Sequence, residues 1–212
     1  MRAFVIAMAC EAEAVRPVLR GDDRLYVSGI GKVNAAAAAQ KAICEGADEI
    51  WNVGLCGGFG ADIAVGDIYG VDRACEYDFD LAQLNGVAVG VLDGFDTPYL
   101  PLSPFPRFPA PHVPHPAPST FPPWFKGYRA LATGDRFNDS EADHDLIVNG
   151  LKASLRDMEG AAIAHVCWRE KVKCLSLKCV SDVAGKGAMT GQYLKNKARC
   201  LTILAQAMKE IA

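Results

Sequence analysis

Short apolar runs alternate along this chain with stretches that favour helix, and that alternation constrains the fold more than any other feature. A strand covered on both faces reads as a continuous apolar run. Strands separated by helical segments pair in parallel, because the crossover has to return the chain to the same end of the sheet. The run 3–9 is of this kind, and 24–28 reads as a second, shorter strand. Gly29-Ile-Gly31-Lys then leads into a helix that starts at Val33 and Asn34, carries five consecutive alanines and stops at Gly46. Residues 49–53 form the next strand, which ends in the glycine-rich turn Gly54-Leu55-Cys56-Gly57-Gly58. Further strands are predicted over 66–74, 86–92 and 128–133, near Leu155, and over 174–180; helices are predicted over about 159–169 and 190–211. The expected fold is a single α/β domain, and 212 residues suffice for one substantial core.

Proline interrupts this order, since residues 98–123 hold 11 of the 12 prolines. That segment can be neither helix nor central strand, because proline fixes φ and lacks an N–H donor. An extended surface insertion is predicted, partly polyproline II in character. Its aromatics, Phe105, Phe108, Phe121, Trp124 and Phe125, predict that it packs on something, as a lid, an interface or an inert insertion.

Charge and composition narrow the function. A net charge of −3 offers nucleic acid no basic surface, so a small neutral or zwitterionic ligand is expected. No stretch approaches the ~20 apolar residues of a membrane span. The apolar run ahead of Cys10 falls short of the ~7–15 residues of a signal-peptide core. The eight cysteines form no CxxC pair and have no zinc-finger spacing, so they read as reduced, mostly buried thiols of a cytoplasmic protein. No metal or cofactor is expected, because the acids are not interleaved with histidines at ligand spacing.

Acidic residues stand just beyond the carboxyl ends of predicted strands, where α/β enzymes place their chemistry. Glu11 and Glu13 follow the first strand, Asp157 and Glu159 flank Met158, and Asp182 follows the strand that ends in Ser181. Each has a plainer reading, as an acid favoured by a helix dipole or as a helix cap. The clusters Gly29-Ile-Gly31 and Gly54-Leu-Cys-Gly57-Gly58 match neither the dinucleotide fingerprint nor the P-loop, and either could simply be a tight turn.

Seven segments, in order, go further. Ile6-Ala-Met8-Ala-Cys-Glu11, Ser28-Gly-Ile-Gly-Lys-Val-Asn34-Ala-Ala and Asn52-Val-Gly-Leu-Cys-Gly-Gly58 are followed by Val65-Gly-Asp-Ile68 and Thr133-Gly-Asp-Arg-Phe137. Asp157-Met-Glu-Gly-Ala-Ala-Ile-Ala-His-Val-Cys167 and Ser181-Asp-Val-Ala184 complete the series. Together they resemble the 5′-methylthioadenosine/S-adenosylhomocysteine nucleosidases of the nucleoside phosphorylase superfamily. The resemblance covers most of the chain outside 77–127. It implies a twisted mixed sheet, partly closed and wrapped by helices, and a homodimer whose second subunit contributes to the 5′ pocket.

It also implies roles. Asp182 resembles the aspartate that protonates or hydrogen-bonds N7 of a purine, a task that burial can fit it for. Glu11 resembles the glutamate that orients and deprotonates the attacking water. Glu159 resembles the acceptor for the ribose hydroxyls, with Met158 against the sugar. Phe137 matches the aromatic that stacks on the base, or is a plain core phenylalanine. The backbone at Asn138 and Val183 is implicated in base recognition, and Met8, Ser181 and Gly57 fall in matching segments. Three departures stand out: the chain is short between Leu19 and Leu25, Leu55 and Cys56 replace a small hydroxyl residue, and Lys178 replaces an arginine that holds the water.

Three alternatives stay open. A phosphorylase of the superfamily would use phosphate, but the matching position here carries Glu11, which repels phosphate. A futalosine-type nucleosidase would keep the acids and change the 5′ pocket. A nucleoside-binding module without catalysis would not require Glu11, Glu159 and Asp182 together.

Overall fold

The computed structural model describes residues 1–106, 108 and 121–211. Its centre is an eight-stranded sheet, assembled around the apolar strands β1 (Arg2–Ile6) and β3 (Glu49–Gly58). β1 lies parallel to β3 on one side and to the outer strand β2 (Arg24–Val27) on the other. β3 runs parallel to β8 (Lys173–Val183) along its whole length, and its last two residues pair antiparallel with the short β7 (Leu155–Asp157). β7 continues to β6 (Phe125–Thr133) and β6 to β4 (Ile68–Glu76), both parallel, and β4 pairs antiparallel with β8. Strands β3, β7, β6, β4 and β8 therefore close into a ring, while β1 and β2 extend from it as an open wing. This is the mixed, partly closed sheet expected. A two-residue strand, β5 (Leu100–Pro101), edges β4, which is where proline is tolerated.

Helices cover the sheet. α2 (Lys32–Cys44) turns Ala35, Ala39 and Ala42 inward, and this shallow face lets it pack against β1 and against α5 (Gly160–Glu170). α6 (Met189–Ile211) lies along β8 and buries Cys200, Leu204 and Met208. The shorter α1 (Ala9–Val15), α3 (Ala82–Asn85) and α4 (Glu141–Asp145) fill the connections. Among the described residues no helix is long and apolar enough to cross a membrane. All eight cysteines are free, and six of them are buried.

Several expectations need correction. The first strand ends at Ile6 rather than running on to residue 9, because α1 begins at Ala9 and the Glu11 carboxylate turns back to accept from the Met8 N–H at 3.2 Å. The stretch 86–92 is not a strand. Gly86 and Gly90 adopt φ of 74° and 83°, left-handed values that break an extended path. β3 does not stop at Val53, and β8 reaches Val183, so Asp182 lies within the strand rather than after it. In the proline-rich segment, 107 and 109–120 lie outside the described residues. The rest does pack: Phe105 meets Trp51 edge-on at 5.1 Å and Phe108 lies 4.4 Å from Phe125, between ring centroids. These rings form one apolar cluster with α1 and α6.

Candidate active site

The strands β1, β3, β7 and β8 deliver their carboxyl-terminal residues or the turns that follow them to one cavity of about 380 Å³. Ala7, Met8 and Glu11 come from the β1–α1 turn, and Leu55, Cys56 and Gly57 from β3. Arg156, Asp157, Met158 and Glu159 come from β7 and its turn, and Ser181 and Asp182 from β8. Ile30, Arg136, Phe137, Met189 and Tyr193 complete the lining. Eight of the eleven residues expected at the site are here: Met8, Glu11, Gly57, Phe137, Met158, Glu159, Ser181 and Asp182. Asn138, Val183 and Lys178 stand behind the wall.

Glu11 is held at both carboxylate oxygens. Its Oε1 accepts from the Leu55 N–H at 2.7 Å, while Oε2 accepts from Met8. This requires β3 to come very close: a Cβ on Gly54 would stand 2.8 Å from Oε1. Burial raises the affinity of Glu11 for a proton, and the two backbone donors and Lys178 partly offset the rise.

Asp182 is carried by β8 where the pairing with β3 slips by one residue, so that Gly57 faces Asp182. Burial pushes its carboxyl up to about 6, against the pull of the Ser181 hydroxyl, which donates to Oδ2 at 2.7 Å, and of the Arg156 charge. Glu159 stands at the start of α5, and its Oε1 accepts from the Gly31 N–H at 2.9 Å. Burial, and then the neighbouring Asp157, push it up to about 7.

Beneath these acids lies an ion pair. Lys178 and Asp157 are each 2% exposed and meet at 2.8 Å. Asp157 also accepts from the Thr133 hydroxyl at 2.6 Å and from the Gly160 N–H at 2.9 Å, which satisfies a donor at the start of α5. Burial alone would strip the Lys178 proton, but Asp157, Glu159 and Glu11 hold it on. Lys178 thus supplies positive charge to both glutamates without reaching the cavity.

The backbone of Val183 is occupied, its N–H donating to Gln192 and its carbonyl accepting from the same side chain. The Asn138 carbonyl accepts from Arg156 at 2.7 Å. Arg156, Arg136, Met189 and Tyr193 were not singled out in the sequence. Arg156 could have been noticed as a lone cation one residue before the acidic pair. Arg136 lies within the segment 133–137, next to Phe137; Met189 and Tyr193 arrive on α6, with no local signal. His165 is paired with Glu76 at 3.5 Å, away from the cavity. Among the described residues no group of histidines, cysteines and acids is arranged to hold a metal.

The family model of the Phosphorylase superfamily matches residues 20–123 and 128–212. A 5′-methylthioadenosine/S-adenosylhomocysteine nucleosidase of Anoxybacillus flavithermus is 31% identical over 192 residues, covering 87% of this chain and 78% of that one. An aminodeoxyfutalosine nucleosidase of Campylobacter jejuni is 30% identical over 167 residues, covering 77% and 69%. The crystal structure of the Helicobacter pylori 5′-methylthioadenosine/S-adenosylhomocysteine nucleosidase superposes with a TM-score of 0.81 at 19% identity, covering 99% of this chain and 96% of that one. The family model and these relatives agree, and the chain belongs to the 5′-methylthioadenosine/S-adenosylhomocysteine nucleosidase family of the phosphorylase superfamily.

Proposed function

We propose that this protein hydrolyses the N-glycosidic bond of an adenosine-type nucleoside, such as 5′-methylthioadenosine or S-adenosylhomocysteine, and releases the free base. The observation that carries the reading is that Glu11 and Asp182 line one cavity in different settings. Glu11 is pinned by two backbone donors, which with Lys178 partly offset the rise that burial imposes, and Asp182 is a carboxyl pushed up to about 6. Cleavage leaves an oxocarbenium-like sugar at C1′ and puts an electron pair on the purine. Asp182 gives its proton to N7 as the C1′–N9 bond breaks, so the base leaves neutral. Glu11 takes a proton from the water whose oxygen bonds to C1′. Glu159 accepts from the ribose hydroxyls, Met158 lies against the sugar and Phe137 stacks on the base. Ser181 orients Asp182, and Gly57 leaves room beside it. Lys178 favours the charged forms of Glu11 and Glu159 from behind, against the rise that burial imposes on both. Asn138 and Val183 support the wall of the base site through their backbone bonds to Arg156 and Gln192.

The relatives named as such nucleosidases support hydrolysis over phosphorolysis, and so does Glu11, whose charge opposes phosphate binding. In this reading the enzyme works in the cytoplasm, in methionine salvage, as a homodimer. The test is release of free base from methylthioadenosine, S-adenosylhomocysteine, adenosine, inosine and futalosine, followed by chromatography with and without phosphate. Release without phosphate that Glu11→Gln lowers at least ~100-fold supports the reading, in line with the usual contribution of a general base. Release only with phosphate overturns it.

A further inference from the structure

Three residues stand in a row across three neighbouring strands of the cavity wall. Gly57 on β3 is paired on one side with Arg156 on β7 and on the other with Asp182 on β8. Residues directly opposite one another on adjacent strands point to the same face of a sheet, and all three line the cavity. The middle position has no side chain, and a Cβ there would stand 3.0 Å from Asp182 Oδ1. The result is a slot over Gly57, with a carboxyl on one flank and a guanidinium on the other.

The guanidinium is the unexplained member. Arg156 is only 8% exposed and makes no ion pair among the described residues. Its Nη2 donates to the Asn138 carbonyl at 2.7 Å and touches the Met189 sulfur, and its carbon lies 5.5 Å from the centre of the Phe59 ring. Nε and Nη1 have no hydrogen-bond partner among the described residues. Neither is sealed from solvent, so both can donate to an acceptor on a ligand in the cavity. Arginine has five donors and no acceptor, so it meets a carbonyl oxygen well and an amino group badly. In a purine, the atom next to N7 along the same edge is the substituent at position 6. The reading of Asp182 as the group that faces N7, on which this step rests, therefore puts position 6 over Gly57 and toward Arg156.

We infer that Arg156 is a specificity residue that reads position 6 of the base, and that 6-oxopurine nucleosides are substrates of this site alongside 6-aminopurine ones. Arginine pairs with the O6 and N7 acceptors of guanine in the same way, and asparagine or glutamine with the N6 and N7 of adenine. The row offers the Asp182 carboxyl on one flank and the Arg156 guanidinium on the other, so it can meet either a 6-amino or a 6-oxo group.

Calorimetric binding of hypoxanthine and adenine tests this without relying on turnover. The unmodified protein should bind both, and Arg156→Met should lower the ratio of hypoxanthine to adenine affinity by roughly 10- to 100-fold, the worth of a hydrogen bond to a charged group. Arg156→Lys keeps the charge and the chain length but loses the fork, so it should fall between the two; it also serves if the methionine variant fails to fold. In parallel, kcat/KM is compared for 5′-methylthioinosine and 5′-methylthioadenosine, which differ only at position 6, and the ratio should fall in step. A ratio unmoved in both variants, or a protein that binds adenine but not hypoxanthine, overturns the inference. Hypoxanthine binding that depends on Arg156, with no nucleoside cleaved, would keep Arg156 as the residue that reads position 6 and overturn the substrate claim together with the hydrolase reading.

Discussion

A carboxyl kept ready to donate a proton is a charge the fold does not welcome, and Asp182 shows what that costs. Its affinity is raised from 3.8 to about 6 by burial. The folded chain therefore holds this proton more tightly than the unfolded chain does. The stabilising contribution is complete below the unfolded value and is lost as pH rises through about 6, a swing of at most ~3 kcal/mol at ~1.4 kcal/mol per unit. Glu159, pushed up to about 7, acts in the same direction over a window that reaches higher. Asp182→Asn removes the charge but keeps the shape and the Ser181 contact. It should raise the melting temperature at pH 8 and flatten the decline in stability between pH 4 and 7, while lowering kcat by ~100-fold or more, as loss of a general acid does. Thermal unfolding across pH checks the first part. A variant no more stable than the parent at pH 8 would mean that the aspartate is ionised in the fold without penalty.

At the scale of elements, β3 does most to build the site, through what its glycines omit. Gly54 lets Glu11 come within reach of the Leu55 N–H, and Gly57 makes the slot beside Asp182. A methyl group at position 54 has to displace the carboxylate oxygen it would meet at 2.8 Å, and the bond to Leu55 is then lost. Gly54→Ala should lower kcat by roughly 10- to 1,000-fold and leave KM within a few-fold, since a general base out of position affects the chemical step; steady-state kinetics on methylthioadenosine decides it, and an equal rise in KM would place Glu11 in ground-state binding. The strands themselves were legible in the sequence because each is a local run of apolar residues; their ends were not, since β1 stops at Ile6, β3 runs on to Gly58 and β8 to Val183. The start of α1 was not, because its cap is made by Glu11, three residues on, closing back on Met8. Arg156 shows in the sequence only as a lone cation before the acidic pair, and its meaning comes from the strand beside it. The stretch 86–92 misled because valines suggested a strand while two glycines had already committed the chain to turns.

Across the whole molecule, the two sides of the sheet divide the work. The aromatic part of the proline-rich segment closes an apolar cluster with α1 and α6, so its composition correctly announced packing. What the segment packs against could not be read from spacing, because Trp51, which Phe105 meets edge-on, lies on β3 far away in the sequence. The rim of the cavity is the opposite case, a surface left apolar. Val33 is 80% exposed, Leu194 69%, Ile30 52% and Phe137 49%. Ile30 and Phe137 line the cavity itself, and Leu194 follows the lining Tyr193 on α6. Large apolar side chains gathered at the mouth of a site mark a contact surface, and a second copy of the chain seated there would shield the 5′ end of a nucleoside from water. Sedimentation should then give a dimer of the unmodified protein at micromolar concentration. Val33→Glu puts a charge on that surface without touching the core, because Val33 is on the outer side of α2; it should shift the mass to a monomer with unchanged circular dichroism. If the partner completes the 5′ pocket, KM for methylthioadenosine should rise about tenfold in that monomer, the worth of burying roughly 1.4 kcal/mol of methylthio surface. Adenosine, which lacks the methylthio group, should be affected less. A monomeric parent with the same KM as Val33→Glu would leave the apolar rim to the substrate alone.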